Sequence, residues 1–184
     1  MENQIKSYAS ALLEIALEEK DLSGYLTEAK EINRTIKENP EVLHLLSSAF
    51  LNEKEKDEAV EKIYGQLDHH YLVNFIALTA RNGYVYRLDA ILREFIREAE
   101  RELGIAHGVI YSSLPLSKEE INAIEKTVSE HEGVKAELEN EEDKSLIGGF
   151  RIILQGKVID YSLESALGQL RKSLKEGENK KDGD

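Results

Sequence analysis

Cysteine is absent from the 184-residue chain, which excludes disulfides, thiolate catalysis and cysteine-ligated zinc or iron–sulfur centres. The absence also fits a reducing cytosol. No apolar run approaches the roughly 18–20 residues that a membrane span requires. The stretch Met1–Ser10 carries Glu2 and a single lysine, with no apolar signal-peptide core. The expectation is a soluble protein without membrane insertion. Basic charge is scarce as well: 24 Lys and Arg stand against 36 Asp and Glu, a net charge of −12. Divided at Gly104, the chain has 13 basic and 20 acidic residues before the break and 11 and 16 after it, so both halves are acidic. Nucleic-acid binding calls for a basic patch that displaces counterions from phosphates, and anionic lipid calls for clustered Lys and Arg. Direct binding to either is not expected.

What the chain does have is 41% hydrophobic and 33% charged residues, enough for packed cores beneath solvent-facing helices. Its length allows one ordinary domain or two small ones. In the first hundred residues Ile5, Tyr8, Ala9, Leu12, Leu13 and Ala16 recur at helical spacing, predicting a helix over about Gln4–Lys20. A second helix spans about Leu22–Glu38 and stops at Asn39-Pro40, because the residue before proline is pushed out of the helical region. Asn39 is placed as the N-cap of a third helix, with Pro40 in its first position and an end near Phe50. Asn52 and Glu55 have capping-box spacing and open a fourth helix reaching about Leu67. A fifth covers His70–Arg81, Asn82-Gly83 breaks the pattern, and a sixth runs from about Tyr86 to Leu103 with Gly104 as its cap. Six short helices with brief connections predict a helical bundle over residues 1–104.

After Gly104 the period changes. Ile105–Ser113 reads as a strand, and Ser117 with Glu120 opens an amphipathic helix through Ile121, Ile124 and Val128 that ends at Gly133. Val134–Glu139 alternates apolar and charged residues, as a half-buried strand does. Phe150–Leu154 and Lys157–Asp160 flank Gln155-Gly156 as a hairpin, and a last helix over about Ser162–Lys175 carries Leu163, Leu167, Leu170 and Leu174. The fold class expected is mainly α: a six-helix domain, then a small α+β domain over residues 105–175. A charged tail over 176–184, with nothing to bury, is expected to be disordered.

A search for chemistry finds little. His69-His70 is the one histidine pair, but adjacent side chains on a helix diverge by about 100°, whereas helical metal pairs sit at i, i+4. His44, His107 and His131 are scattered, and no serine has a nucleophile-elbow pattern. The segment Asp143–Phe150 contains Gly148-Gly149 but lacks P-loop spacing and runs into a strand, so it offers no helix N-terminus to an anion. Gly148 and Gly149 read instead as a structural turn or bulge. Carboxylates such as those of Glu53, Glu55, Asp57 and Glu58 lie in a charge run of the kind that forms a solvated face. No catalytic residue, metal or cofactor is assigned.

Two helices carry excess apolar surface. The first is apolar at 5, 8, 9, 11, 12, 13, 15, 16 and 17, and the fifth at 71, 72, 73, 75, 76, 77, 78 and 80. Such helices are either fully enclosed or share a groove that receives a partner helix. A bundle this small rarely encloses two, and Ala9 and Ala11 permit close approach, so the groove is the preferred reading.

Several segments match one family in order. Tyr8-Ala9-Ser10-Ala11-Leu12, Asn74-Phe75-Ile76 through Arg81-Asn82-Gly83, Leu114-Pro115-Leu116-Ser117, and Asp143–Phe150 followed by Val158–Ser162 all resemble the delta subunit of the F-type ATP synthase. The most specific of these is Asp143-Lys144-Ser145-Leu146-Ile147-Gly148-Gly149, and the resemblance covers about Ile5–Leu174. It implies a non-catalytic stator subunit. The N-terminal domain would bind the N-terminal helix of an alpha subunit, and the C-terminal domain would bind the C-terminal ends of b-type stalk subunits. The place implied is the cytoplasmic face of the cell membrane, as a peripheral part of the complex. Groove residues carried over by position are Tyr8, Ala11 and Ile15 on the first helix and Asn74 and Leu78 on the fifth. One departure is Tyr84, where many members have Arg after Asn-Gly. A free-standing helical-peptide adaptor would share the groove but would need no Asp143–Phe150 block. A small hydrolase would need convergent polar groups that these residues do not supply.

Overall fold

The computed structural model describes residues 2–178. The chain divides into two compact units that meet at Leu103 and Gly104. In the first, α1 (Glu2–Glu18), α2 (Leu22–Glu38), α3 (Glu41–Leu46), α4 (Glu53–Tyr64), α5 (His70–Arg81) and α6 (Leu88–Glu102) follow one another, with a 3-10 turn at Val85–Arg87. Both α1 and α2 pack on α6. The reason lies in spacing: α6 buries Leu88, Ile91, Leu92, Phe95 and Ala99 on one face, and α1 meets it with Ala9, Leu12 and Ala16. Phe95 is fully buried, and burial of such a side chain is worth about 1.5–3 kcal/mol.

Local chemistry sets the ends. Asn52 Oδ1 accepts from the Glu55 N–H at 3.0 Å while Glu55 Oε2 accepts from the Asn52 N–H at 2.8 Å, the reciprocal box expected at the start of α4. Asn39 differs from expectation. Its side-chain amide donates back to the Thr35 carbonyl at 3.1 Å, so it closes α2, and Pro40 precedes the first residue of α3 without a side-chain cap. The third helix also stops at Leu46, well short of Phe50. Ser47 Oγ bonds the His44 carbonyl and Ser48 Oγ accepts from the Phe50 N–H, so both serines divert backbone bonding away from a further turn. Only Leu46 of this helix is buried and Phe50 is 97% exposed, so a longer helix would gain no burial. Gly65 ends α4 at Tyr64, before Leu67. At the start of α6 the 3-10 turn takes the place of the expected first helical turn and aligns buried Val85 with buried Leu88 three residues on.

The second unit holds β1 (Ile105–Ser112), α7 (Lys118–Glu132), β2 (Lys135–Glu142), β3 (Phe150–Leu154), β4 (Lys157–Asp160) and α8 (Leu163–Glu178). Its sheet has the order β2-β1-β3-β4, with β1 and β2 parallel across α7 and the other pairs antiparallel. Ala106, Ile110, Ala136, Leu138, Ile152 and Leu154 form the core with Val128 of α7. The Ser117–Glu120 capping box opens α7, and Gly133 at φ +70° closes it. Gln155 and Gly156 both have positive φ, the backbone of a two-residue hairpin turn. Strand β2 runs to Glu142, three residues beyond the alternating stretch, because it pairs with the whole length of β1. Residues 176–178, expected in the tail, continue α8, and the rest of the tail lies outside the described residues.

Candidate partner-binding surfaces

On α1, Tyr8, Ala11 and Ile15 stand at i, i+3 and i+7 and so share one helical face. Tyr8 and Ile15 are half-buried and Ala11 is exposed, while the adjoining face (Ala9, Leu12, Ala16) is buried. On α5, Leu72, Val73, Phe75, Ile76, Ala77, Thr79 and Ala80 are buried, which leaves Tyr71, Asn74 and Leu78 as an exposed stripe. The fifth helix is therefore enclosed over most of its surface and retains an accessible edge, whereas α1 buries a single narrow face and leaves the rest accessible.

Tyr8 ties those edges together. Its ring meets Phe75 of α5 edge-on, with centroids 6.0 Å apart, and its hydroxyl accepts from Asn82 Nδ2 at 3.2 Å. Tyr84 adds a second ring 5.5 Å from Tyr8, and its hydroxyl accepts from Gln4 Nε2 at 2.7 Å. The departure at position 84 thus places an aromatic side chain, hydrogen-bonded to α1, at the end of α5. Asn74 stands apart from this cluster. It lines a cleft of about 550 Å³ between α4 and α5, together with Asp57, Val60, Glu61, Ala77 and Arg81.

In the second unit Gly148 and Gly149 precede β3. Gly149 has φ +75°, and a Cβ there would overlap the Tyr161 carbonyl oxygen. The Leu163 N–H donates to the Gly148 carbonyl at 3.0 Å, so the glycine pair seats the chain where β4 passes into α8. Ser162 Oγ accepts from the Ser165 N–H, and Asp160 accepts from the Ser162 N–H, fixing the start of that helix. Beyond this anchor Leu163, Leu167 and Leu170 are 53%, 57% and 56% exposed. Their 4,3 spacing is that of a helix–helix seam, and Leu174 continues it in the sequence.

The sequence pattern gives no sign of a role for His69. Its Nε2 lies 3.1 Å from Asp21 Oδ2 and its Nδ1 lies 3.0 Å from Glu28 Oε2, with the Tyr25 ring 4.2 Å away. The only signal is its place one residue ahead of a helix, because the carboxylates come from 41 and 48 positions earlier in the chain. Burial, with Glu19 and Glu28 nearby, pushes the Tyr25 hydroxyl up to about 12. Among the described residues no group of three or more His, Asp or Glu is placed to hold a metal ion.

Comparison with known proteins gives a consistent result. A family model described as the ATP synthase delta (OSCP) subunit matches residues 5–174. The ATP synthase subunit delta of Mycoplasma mobile is 35% identical over 176 residues, covering 94% of this chain and 96% of that relative. That of Malacoplasma penetrans is 31% identical, covering 92% and 93%. Among solved structures, a chain of the Toxoplasma gondii mitochondrial ATP synthase hexamer superposes with a TM-score of 0.55 at 18% identity, over 92% of this chain and 96% of that one. The last likeness concerns the fold alone.

Proposed function

The chain belongs to the ATP synthase delta (OSCP) subunit family, a non-catalytic part of the complex, and on that premise we propose that it is the stator link between catalytic head and peripheral stalk. In this reading the six helices of the first unit form the bundle that caps the head, and the accessible edges of α1 (Tyr8, Ala11, Ile15) and α5 (Leu78, and Asn74 toward the α4 cleft) receive the N-terminal helix of an alpha subunit. The second unit engages the C-terminal ends of b-type stalk subunits through apolar surface that includes α8. The complex is membrane-bound and the chain is peripheral to it, on the cytoplasmic face; no helix among the described residues is long and apolar enough to cross a membrane.

The observation that carries the proposal is apolar surface left accessible in each unit, on α1 and α5 in one and on α8 in the other. Rotation of a central shaft exerts torque on the head, and an untethered head would turn with it and store no work. A tether needs affinity at two ends and no reaction. Accessible apolar helix faces supply such affinity, because partner helices bury their own apolar stripes against them. The test is to purify the tagged chain from its native cell and to titrate it separately with two peptides. One is the N-terminal segment of the alpha chain, and the other is the C-terminal segment of a b-type stalk chain. Each peptide is expected to bind, and both should bind at once. Competition between them, or recovery of the chain without other synthase subunits, would overturn the link.

A further inference from the structure

His69 occupies the N-cap position of α5 without a side-chain capping bond, and its side chain is 14% exposed, with a carboxylate oxygen about 3 Å from each ring nitrogen. A neutral imidazole has one N–H and one lone pair, so either tautomer turns a lone pair toward a carboxylate about 3 Å away. Only the imidazolium carries a proton on both nitrogens: Nε2 hydrogen-bonds Asp21, while Nδ1, which makes no hydrogen bond of good geometry, meets Glu28 as an ion pair at 3.0 Å. Glu28, itself 12% exposed, also accepts the Asp68 N–H on its other oxygen at 2.7 Å. Two consecutive residues ahead of α5 are thereby held by one carboxylate of α2. Asp21, the other partner, caps α2 by accepting the Gly24 N–H at 3.0 Å. The fit is tight: a Cβ on Gly24 would stand 2.5 Å from the His69 ring and 2.6 Å from the Asp21 carboxylate.

We propose that His69 is a proton-operated clamp: its imidazolium fastens the first turn of α5 to Glu28 of α2 and to Asp21 at the start of α2, and loss of the proton releases that turn. Two of the groups around it favour the charged form, Asp21 from the turn before α2 and Glu28 from α2. The other titratable groups nearby are Glu19 in the turn after α1, Tyr25 of α2, and Asp68, His70 and Tyr71 in the segment entering α5. Burial opposes the charge on His69, but the Asp21 hydrogen bond and the attraction of the Asp21 and Glu28 carboxylates exceed it and hold the ring above its ordinary value. With the folded value raised, the clamp's stabilisation is full below the unfolded value, about 6.5, and fades as pH rises through the folded one. Because α5 carries Asn74 and Leu78, an effect on partner affinity rests on the groove reading above, whereas the clamp itself does not.

The experiment follows the histidine Cε1–H signals and backbone amide protection of the full chain by NMR from pH 5.5 to 9.5. Asp68 reports directly, and Leu72 and Val73 report through their bonds to the His69 carbonyl. His69 is expected to titrate above the ordinary histidine value, and protection at these three amides should fall about tenfold through the same midpoint. Glu28→Gln, whose amide can satisfy either neutral tautomer, should lower that midpoint and abolish the fall. Titration of His69 at or below the ordinary value, or unchanged protection through its midpoint, would overturn the clamp. Titration of an alpha N-terminal peptide at pH 6.5 and 9 forms a separate arm. Weaker binding at pH 9 in wild type but not in Glu28→Gln supports the coupling to α5. Absence of binding at both pH values overturns the groove and leaves the clamp to the NMR result.

Discussion

Gly149 and Tyr161 approach so closely that a Cβ on the glycine would overlap the tyrosine carbonyl oxygen and lie 3.0 Å from Ser162 Cα. The clash is with backbone, which cannot swing aside, and Gly149 also has φ +75°, a conformation that β-branched residues almost never adopt. Two penalties therefore coincide at one residue. Gly149→Val is expected to destabilise the second unit by well over the ~1 kcal/mol of ordinary glycine propensity effects. It should weaken binding of the stalk chain's C-terminal peptide and leave binding of an alpha N-terminal peptide unchanged. Thermal melts and the two peptide titrations measure this, and the same melts with ATP examine the phosphate-loop alternative. An ATP-induced rise in the wild-type midpoint that Gly149→Val abolishes would contradict the structural role.

Ala11 lies exposed on the face of α1 that Tyr8 and Ile15 share, so Ala11→Asp leaves the folded chain free of strain. In the groove reading the new carboxylate is desolvated against a partner helix with no counter-charge. Binding of an alpha N-terminal peptide should weaken by about 2–4 kcal/mol, or about 30- to 1,000-fold in Kd, with an unchanged circular dichroism spectrum. Equal affinities for mutant and wild type would remove Ala11 from the interface.

The local features are legible in the sequence because their causes are local. Asn52 with Glu55, Ser117 with Glu120, and Gln155-Gly156 each complete their geometry within a few residues, and each is found where the sequence places it. Asn39 departs from expectation because an asparagine between two helices can cap either, and its bond to Thr35 depends on which backbone group is nearer. The third helix is shorter than expected because apolar residues near Phe50 suggest burial, whereas no neighbouring element covers that ring. The glycine pair signals a bend, but its contact with Tyr161 and Ser162 is a tertiary fact. The His69 cluster is hidden for the same reason: a search for i, i+4 ligand spacing cannot find carboxylates brought in from α2 and the turn before it.

The division at Leu103 suggests that the first unit is autonomous. Its buried residues on α6 are matched by α1 and α2 within the same unit. A fragment ending at Leu103 is expected to be helical, to unfold cooperatively and to bind the alpha peptide with the affinity of the full chain. A fragment that melts without cooperativity, or that binds only when residues beyond 104 are restored, would show that the unit depends on the rest.

Acid should act on the second unit through three turn and end carboxylates. Asp143 accepts from Ser145 Oγ at 2.6 Å and from its N–H at 2.9 Å, and these bonds hold its carboxyl below the usual range. Asp160 is lowered by its hydrogen bonds with Ser162, with Arg151 adding attraction, and Glu132 is lowered first by its hydrogen bond from Lys157 Nζ and then by His131. In each case the folded value lies below the unfolded one, about 3.9 for Asp and 4.3 for Glu. The unfolded chain then binds more protons across that interval, so the stabilisation is complete above the unfolded values and is lost as pH falls through the folded ones. Amide protection in the full chain at Val109 and Ile153, which are paired across β1 and β3, should hold steady with respect to these groups from pH 7 to 5 and drop below about pH 4. Ser145→Ala should flatten part of that drop by returning Asp143 toward its ordinary value, at the expense of stability at neutral pH. Protection that rises on acidification from pH 5 to 3, or an acid limb of the same steepness in Ser145→Ala, would exclude Asp143 as a contributor.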